Sequence, residues 1–301
     1  MNFQQKYKLN TWLMVALLVA GFTACKKDGN PNNLPAVSPA DYAGTIDGFK
    51  SSDEIFPTNL VAYWSFDDTK AELKSGKTPT STVNDAFISG GVRGKAIRLN
   101  AGYLYYASQF NAFKTDSLKS FTISQWVQIL NNGSKKTMIF QIARPGIFNG
   151  SLDFILLTNV NPASVTDYVR INPAFTTVGG GRQDNINAFG ASNTSPSIGA
   201  SKWIHLVLTY DGTSGVFNIW GNAKKIGNYP NRGVGNNLFK AYEPSEVIIG
   251  GNYNTLVGTP PVSSDVSFAA MTGSIDEIRV YNTVLPDAFI KAMFNLGLAN
   301  K

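Results

Sequence analysis

Trp203-Ile204-His205-Leu206-Val207-Leu208-Thr209-Tyr210-Asp211-Gly212 decides how the chain is read. Apolar residues fall on both alternating faces, the pattern of a strand in the middle of a sheet and covered on two sides. Asp211-Gly212 then signals a turn. Phe121-Thr122-Ile123-Ser124-Gln125-Trp126-Val127 repeats the alternation more cleanly, with Phe121 and Ile123 on one face and Thr122 and Ser124 on the other.

Outward from these two, short aromatic and β-branched runs recur. They stand at Leu60–Phe66, Ala96–Leu99, Tyr103–Ala107, Thr137–Ile142, Leu152–Thr158, Tyr168–Asn172, Val216–Trp220, Glu246–Ile249 and Ser274–Tyr281, with turn signals at Asn132-Gly133 and Gly221-Asn222. So many short strands in one run, with few helices between them, predict an antiparallel β-sandwich. One stretch breaks the pattern. Phe289, Ile290, Met293 and Phe294 follow Pro286-Asp287 at helical spacing, so a short closing helix is expected, ended by Gly297.

The 301 residues are 43% hydrophobic, enough for one sizeable core. Of the formal charge of +6, Lys6 and Lys8 supply two. The other basic residues are scattered, without the concentrated stripe of a nucleic-acid binder. The single cysteine, Cys25, excludes an intrachain disulfide. It follows a basic end, an apolar run from Trp12 to Ala20 and the small-residue approach Gly21-Phe22-Thr23-Ala24, which describes a secretory signal peptide. Phe22-Thr23-Ala24-Cys25 resembles a lipobox, with Phe where Leu is usual. The expected organisation is a signal peptide over 1–24, a lipidated Cys25 opening a Pro-, Asn- and Gly-rich tether over 25–59, and one folded domain over 60–301. Acylated Cys25 would hold an exported chain to the lipid bilayer, at the outer membrane or cell surface.

Seven phrases, in order, resemble the laminin-G-like (concanavalin A-like lectin-glucanase) jelly roll of bacterial secreted proteins. They are Val61–Asp68, Gly94–Leu99, Phe121–Val127, Trp203–Gly212, Phe217–Asn222, Ile248–Gly251 and Gly273–Asn282. The resemblance implies an all-β, antiparallel jelly-roll sandwich. It leaves function open, because that sandwich serves lectins, adhesins, accessory domains and glycosidases.

Related glycosidases carry Glu-x-Asp-x-x-Glu on one strand, since retaining chemistry needs two carboxyls about 5 Å apart. The glutamates here, Glu54, Glu72, Glu243, Glu246 and Glu277, offer no such pair, and no Gly-x-Ser-x-Gly elbow is present. An enzyme is therefore not expected. His205, the lone histidine, reads either as a base or as a core imidazole satisfied by a neighbour, and the second is favoured because one histidine cannot build a histidine-rich metal site. The resemblance implies a structural calcium at Asp276, clasping the closing strand to the opening strand's end at Asp67 or Asp68. The alternative is that Asp276 bonds a turn or pairs with Arg98 or Arg279. Candidate ligand-binding residues are Arg182, Asn185, Tyr229, Phe239, Tyr242 and Tyr253, aromatics and polar groups in late loops, although such aromatics also cap cores. The function expected is a non-catalytic, membrane-anchored glycan binder. The alternative is a structural module that docks on an envelope protein.

Overall fold

Alternation written in the sequence becomes one long, curled sheet. The computed structural model describes residues 43–183, 194–229 and 234–301, with Gly44–Lys301 as one folded unit. Among the described residues the strands are β1 (Leu60–Trp64), β2 (Ser81–Ser89), β3 (Lys95–Tyr106), β4 (Phe121–Ile129), β5 (Lys136–Arg144), β6 (Ile147–Leu157), β7 (Arg170–Ile171) and β8 (Ala174–Thr176). There follow β9 (Arg182–Gln183), β10 (Ile204–Asp211), β11 (Val216–Gly221), β12 (Lys224–Tyr229), β13 (Glu246–Ile249), β14 (Phe268–Ala269) and β15 (Met271–Tyr281), and then helix α1 (Asp287–Leu298). The hydrogen-bonded path runs β12-β11-β10-β4-β15-β3-β13-β5-β6-β8-β9, with β1 on β15 and β2 on β3. Apart from the short parallel β5–β14 pair, every pairing is antiparallel.

The sheet curls so that its inner faces meet in one core. Phe121, Ile123 and Val127 of β4 enter it beside Leu206 and Leu208 of β10, and Phe140 and Phe154 come from the opposite side. Trp64 lies at its centre, fully buried, with ring centroids of Tyr106, Phe110 and Phe140 at 5.9, 5.9 and 5.8 Å. Burying side chains of this size contributes about 1.5–3 kcal/mol each before entropy is counted. The expected all-β, antiparallel jelly roll is therefore what the chain forms.

A second apolar layer explains why β10 carries apolar residues on both faces. Val207, pointing away from the core, packs with Trp220, Tyr281, Leu285, Ile290, Met293 and Leu296 beneath α1. The rings of Trp126, His205 and Phe294 cluster there as a triangle, with centroids 4.8 Å (Trp126–His205), 5.7 Å (Trp126–Phe294, 11° between planes) and 6.2 Å (His205–Phe294) apart. No helix among the described residues is long and apolar enough to cross a membrane.

Four local expectations change. The folded unit begins at Gly44, so residues 44–59 are not all tether: Ile55 is fully buried, and Ile46, Phe49 and Phe56 pack against the layer under α1. Strand β2, where no strand was expected, is an edge paired only with β3, and even its Phe87 is exposed. Trp203 stands one residue before β10, only half-buried, with Nε1 donating to the Gly90 carbonyl (3.1 Å). Gly297 lies inside α1 and does not stop it, because a Cβ there would fall 2.3 Å from the Trp126 ring. The missing side chain sets how closely the helix approaches the sheet.

Candidate functional site

A β-bulge governs the outer face of β15. Between the inward-facing Ile275 and Ile278, the pairing with β4 slips and Glu277 takes φ +50°, so Asp276 and Glu277 both face outward. Asp276, fully buried, accepts N–H bonds from Val92 (2.6 Å), Arg93 (3.3 Å) and Glu277 (2.9 Å). Burial, and then the charge of Glu277, push its pKa up to about 8 against those donors. Asp67 accepts from the Lys95 N–H (2.8 Å) and lies against Gly94, where a Cβ would meet its Oδ1 at 2.1 Å. Asp68 pairs with the Lys95 ammonium.

These surroundings do not fit the calcium expected at Asp67, Asp68 and Asp276. The cation would need six to eight oxygen ligands, but the carboxylates face N–H donors and an ammonium. Among the described residues no three His, Cys, Asp or Glu side chains are grouped to hold a metal. The two ends of the domain are joined by ion pairs. Arg279, almost fully buried, donates from Nη2 to Asp53 Oδ1 (2.8 Å), Glu277 Oε2 (2.7 Å) and Ser52 Oγ (3.1 Å), and from Nη1 to the Ser52 carbonyl (3.2 Å). Its guanidinium lies 4.2 Å from the Tyr63 ring centre, and the Tyr63 hydroxyl donates to Glu277 Oε1 (2.7 Å). Arg93 closes the set by donating to Asp53 (3.0 Å) and to the Tyr63 hydroxyl (2.9 Å). Burial alone would lower the Arg279 pKa, but the Glu277 carboxylate drives it up, so the guanidinium stays charged.

His205 is a core residue. It is fully buried with Nε2 2.7 Å from Ser124 Oγ, and burial lowers its pKa to about 3. Of the ligand-binding candidates, Phe239 belongs to the core, its ring 5.1 Å from Phe121 and 5.9 Å from Phe175. Tyr253 is 5% exposed and donates its hydroxyl to Glu246. Neither offers a ring to a ligand, because both fill gaps that the curled sheet would leave. Arg182 of β9 is tied to the buried Asp153 of β6 at 2.6 Å. Tyr242 is half-buried between Arg144 and Lys240 and donates to the Thr177 carbonyl (2.7 Å). Tyr229 ends β12 opposite Phe217, while Asn185 and Cys25 lie outside the described residues.

The structure places an open polar groove elsewhere. On the outer face of three neighbouring strands, Arg98 of β3, Ser274 of β15 and Gln128 of β4 stand directly across from one another, with Asn100 opposite Thr272 beside them. The strand pairs immediately beyond them carry Trp126 and Asp276, so this is the half of the face that α1 leaves uncovered. By continuation of the β4–β10 register, Trp203 falls opposite Gln128. The groove has a volume of about 420 Å³, is lined also by Leu130 and Ala200, and holds no carboxylate in its lining. Such a volume is that of a small-ligand site, and two strand spacings make the row of three about 10 Å wide. Ser274 and Gln128 form a nearly buried floor, while Arg98, Asn100 and Thr272 are exposed. The alternation marks each of these side chains as outward. Which strands lie side by side, and which half α1 covers, is written only in the fold.

With the fold and groove in view, comparison defines the class. The profile of the concanavalin A-like lectin/glucanases superfamily matches residues 101–291, more than half of the chain, which belongs to that superfamily. No curated protein matches it in sequence. Among solved structures it is similar to domain 4 of AbnA, an extracellular arabinanase from Geobacillus stearothermophilus, in complex with arabinotriose. There the identity is 17% over 78% of this chain and 98% of that one, with a TM-score of 0.47. It is also similar to the binding domain of Paraclostridial Mosquitocidal Protein 1 (16% identity, 79% of this chain and 52% of that one, TM-score 0.49). Trypanosoma rangeli sialidase matches at 15% identity, over 80% of this chain and 33% of that one, with a TM-score of 0.48.

Proposed function

We propose that the chain is a membrane-anchored lipoprotein whose jelly roll binds carbohydrate at the cell envelope without cleaving it. The observation that carries the reading is the cross-strand row Arg98–Ser274–Gln128, flanked by Asn100 and Thr272 in a groove of about 420 Å³. Guanidinium, amide and hydroxyl groups together supply the donors and acceptors that sugar hydroxyls require. Their placement on strands keeps them in fixed positions, which lowers the ordering cost of binding. Superfamily membership supports the carbohydrate class. The non-catalytic reading is supported by the lining, because glycoside hydrolysis uses a pair of carboxyls and the groove offers none. Anchoring rests on the signal-like 1–24 and on Cys25.

A panel of oligosaccharides presented to the purified full chain in detergent tests the reading. Binding is expected without release of shorter sugars, and Gln128→Ala should weaken it. Absence of binding across neutral and charged glycans would refute it, as would reducing ends appearing with time. For the anchor, Cys25→Ser should move the protein from the membrane pellet to the soluble fraction.

A further inference from the structure

We infer that the groove selects acidic glycans, those whose sugars carry a carboxylate or sulfate, and that Arg98 is the residue that selects them. This rests on the carbohydrate reading and sharpens it to a substrate class.

The argument begins with what Arg98 does not do. Its side chain is exposed at the groove and has no ion pair or hydrogen bond among the described residues. Of the five other described arginines, four are employed in the fold, Arg170 of β7 being the exception: Arg279 and Arg93 in the clasp, Arg182 on Asp153, and Arg144 on the Asn149 carbonyl (3.0 Å). Arg98 is held at a fixed point by its strand, between Ala86 of β2 and Ser274 of β15, with its donors unclaimed.

The second observation is the company it keeps. Every other polar side chain in the lining is neutral: Asn100, Gln128, Thr272 and Ser274. The acidic residues nearest in sequence are committed elsewhere, Asp85 to Lys70 and Asp276 to the turn at Val92 and Arg93. A guanidinium with no counter-charge in its groove lacks a partner that an anionic ligand would supply. Its planar fork matches a carboxylate or sulfate with two parallel hydrogen bonds. The neutral neighbours sit within one or two strand spacings, about 5–10 Å, where the hydroxyls of the same or the next sugar would reach them. A neutral glycan would leave the charge of Arg98 unanswered, so the acidic form is preferred.

The test compares polymers that differ only in charge, offered to the full chain in detergent. Polygalacturonate is set against its methyl ester, and dextran sulfate against dextran. The first pair reads carboxylate and the second sulfate. The acidic member of at least one pair should bind about tenfold or more tightly than its neutral counterpart, and added salt should narrow the gap. Arg98→Gln should abolish the preference while leaving the melting temperature unchanged, because Arg98 holds nothing in the fold. Lys291→Gln, which removes an exposed charge from α1, should leave the preference intact and so exclude general attraction to a basic protein. Equal binding of acidic and neutral polymers would overturn this inference but leave carbohydrate binding standing, as would a preference that survives Arg98→Gln. Binding to no polymer at all would overturn both.

Discussion

Replacing Arg279 with Met tests whether the buried clasp holds the N-terminal segment to β15. The methionine retains most of the apolar volume but removes the Nε contact to Glu277 (3.1 Å), the two Nη2 ion pairs and both bonds to Ser52. Asp53, about half exposed, returns to water at little cost. Glu277, with its side chain 6% exposed, cannot, and retains only the Tyr63 hydroxyl (2.7 Å) and Arg93 at 3.7 Å. Removing one partner of a buried pair costs about 3–5 kcal/mol, and the two surviving donors place this case near the lower end. For a domain of this size that corresponds to a fall of roughly 6–12 °C in Tm. Urea unfolding followed by tryptophan fluorescence should show a lower midpoint at unchanged slope. Adding Glu277→Gln should recover about 1 kcal/mol or more relative to the sum of the single changes, since the stranded charge is then gone. A loss below about 1 kcal/mol, or strict additivity, would refute the clasp as an energetic unit.

Other outcomes follow from the same geometry. Trp64→Ala should cost about 3–5 kcal/mol, whereas Trp203→Ala should cost far less. Equal losses in chemical denaturation would contradict the burial difference between them. The His205 ring should remain neutral in NMR titration well below the usual imidazole range, because burial lowers its pKa to about 3. Its contribution to stability is complete above the unfolded pKa of about 6.5 and is lost as pH falls toward 3. His205→Phe should therefore flatten that part of the acid limb, and an unaltered limb would count against the assignment. Chelator should leave the melt unmoved, because Asp67 and Asp276 are satisfied by N–H donors. A chelator-sensitive melt would restore the calcium reading.

The inward and outward residues of β4 and β10 were legible because period-two alternation is a local property of the chain. So was the closing helix, whose apolar spacing needs no partner to be seen. What stayed hidden depends on neighbours. The bulge at Asp276–Glu277 shifts which residues face outward without any glycine or proline to announce it, so the Arg279–Glu277–Asp53 network could not be drawn in advance. Phe239 and Tyr253 looked like loop aromatics because their sequence surroundings are polar, but the curl of the sheet draws both inside. Arg98 and Gln128 do not read as a pair in the sequence, because only the strand order β4-β15-β3 sets them in one row.

The groove is built from strand faces, with no loop supplying its central row. Arg98, Asn100 and Gln128 project from backbone whose hydrogen bonds are already satisfied within the sheet, and their side chains hold nothing else among the described residues. Exchanging Arg98 or Asn100, both exposed, for another residue should change stability by only about 0.5 kcal/mol, as is usual for surface sites without structural duties. On the proposed reading, recognition can therefore drift by single substitutions while the scaffold stays the same. The stretches that make the fold recognisable, Gly94–Leu99 and Gly273–Asn282, also carry Arg98 and Ser274, so chains alike in those phrases can differ in ligand through one codon.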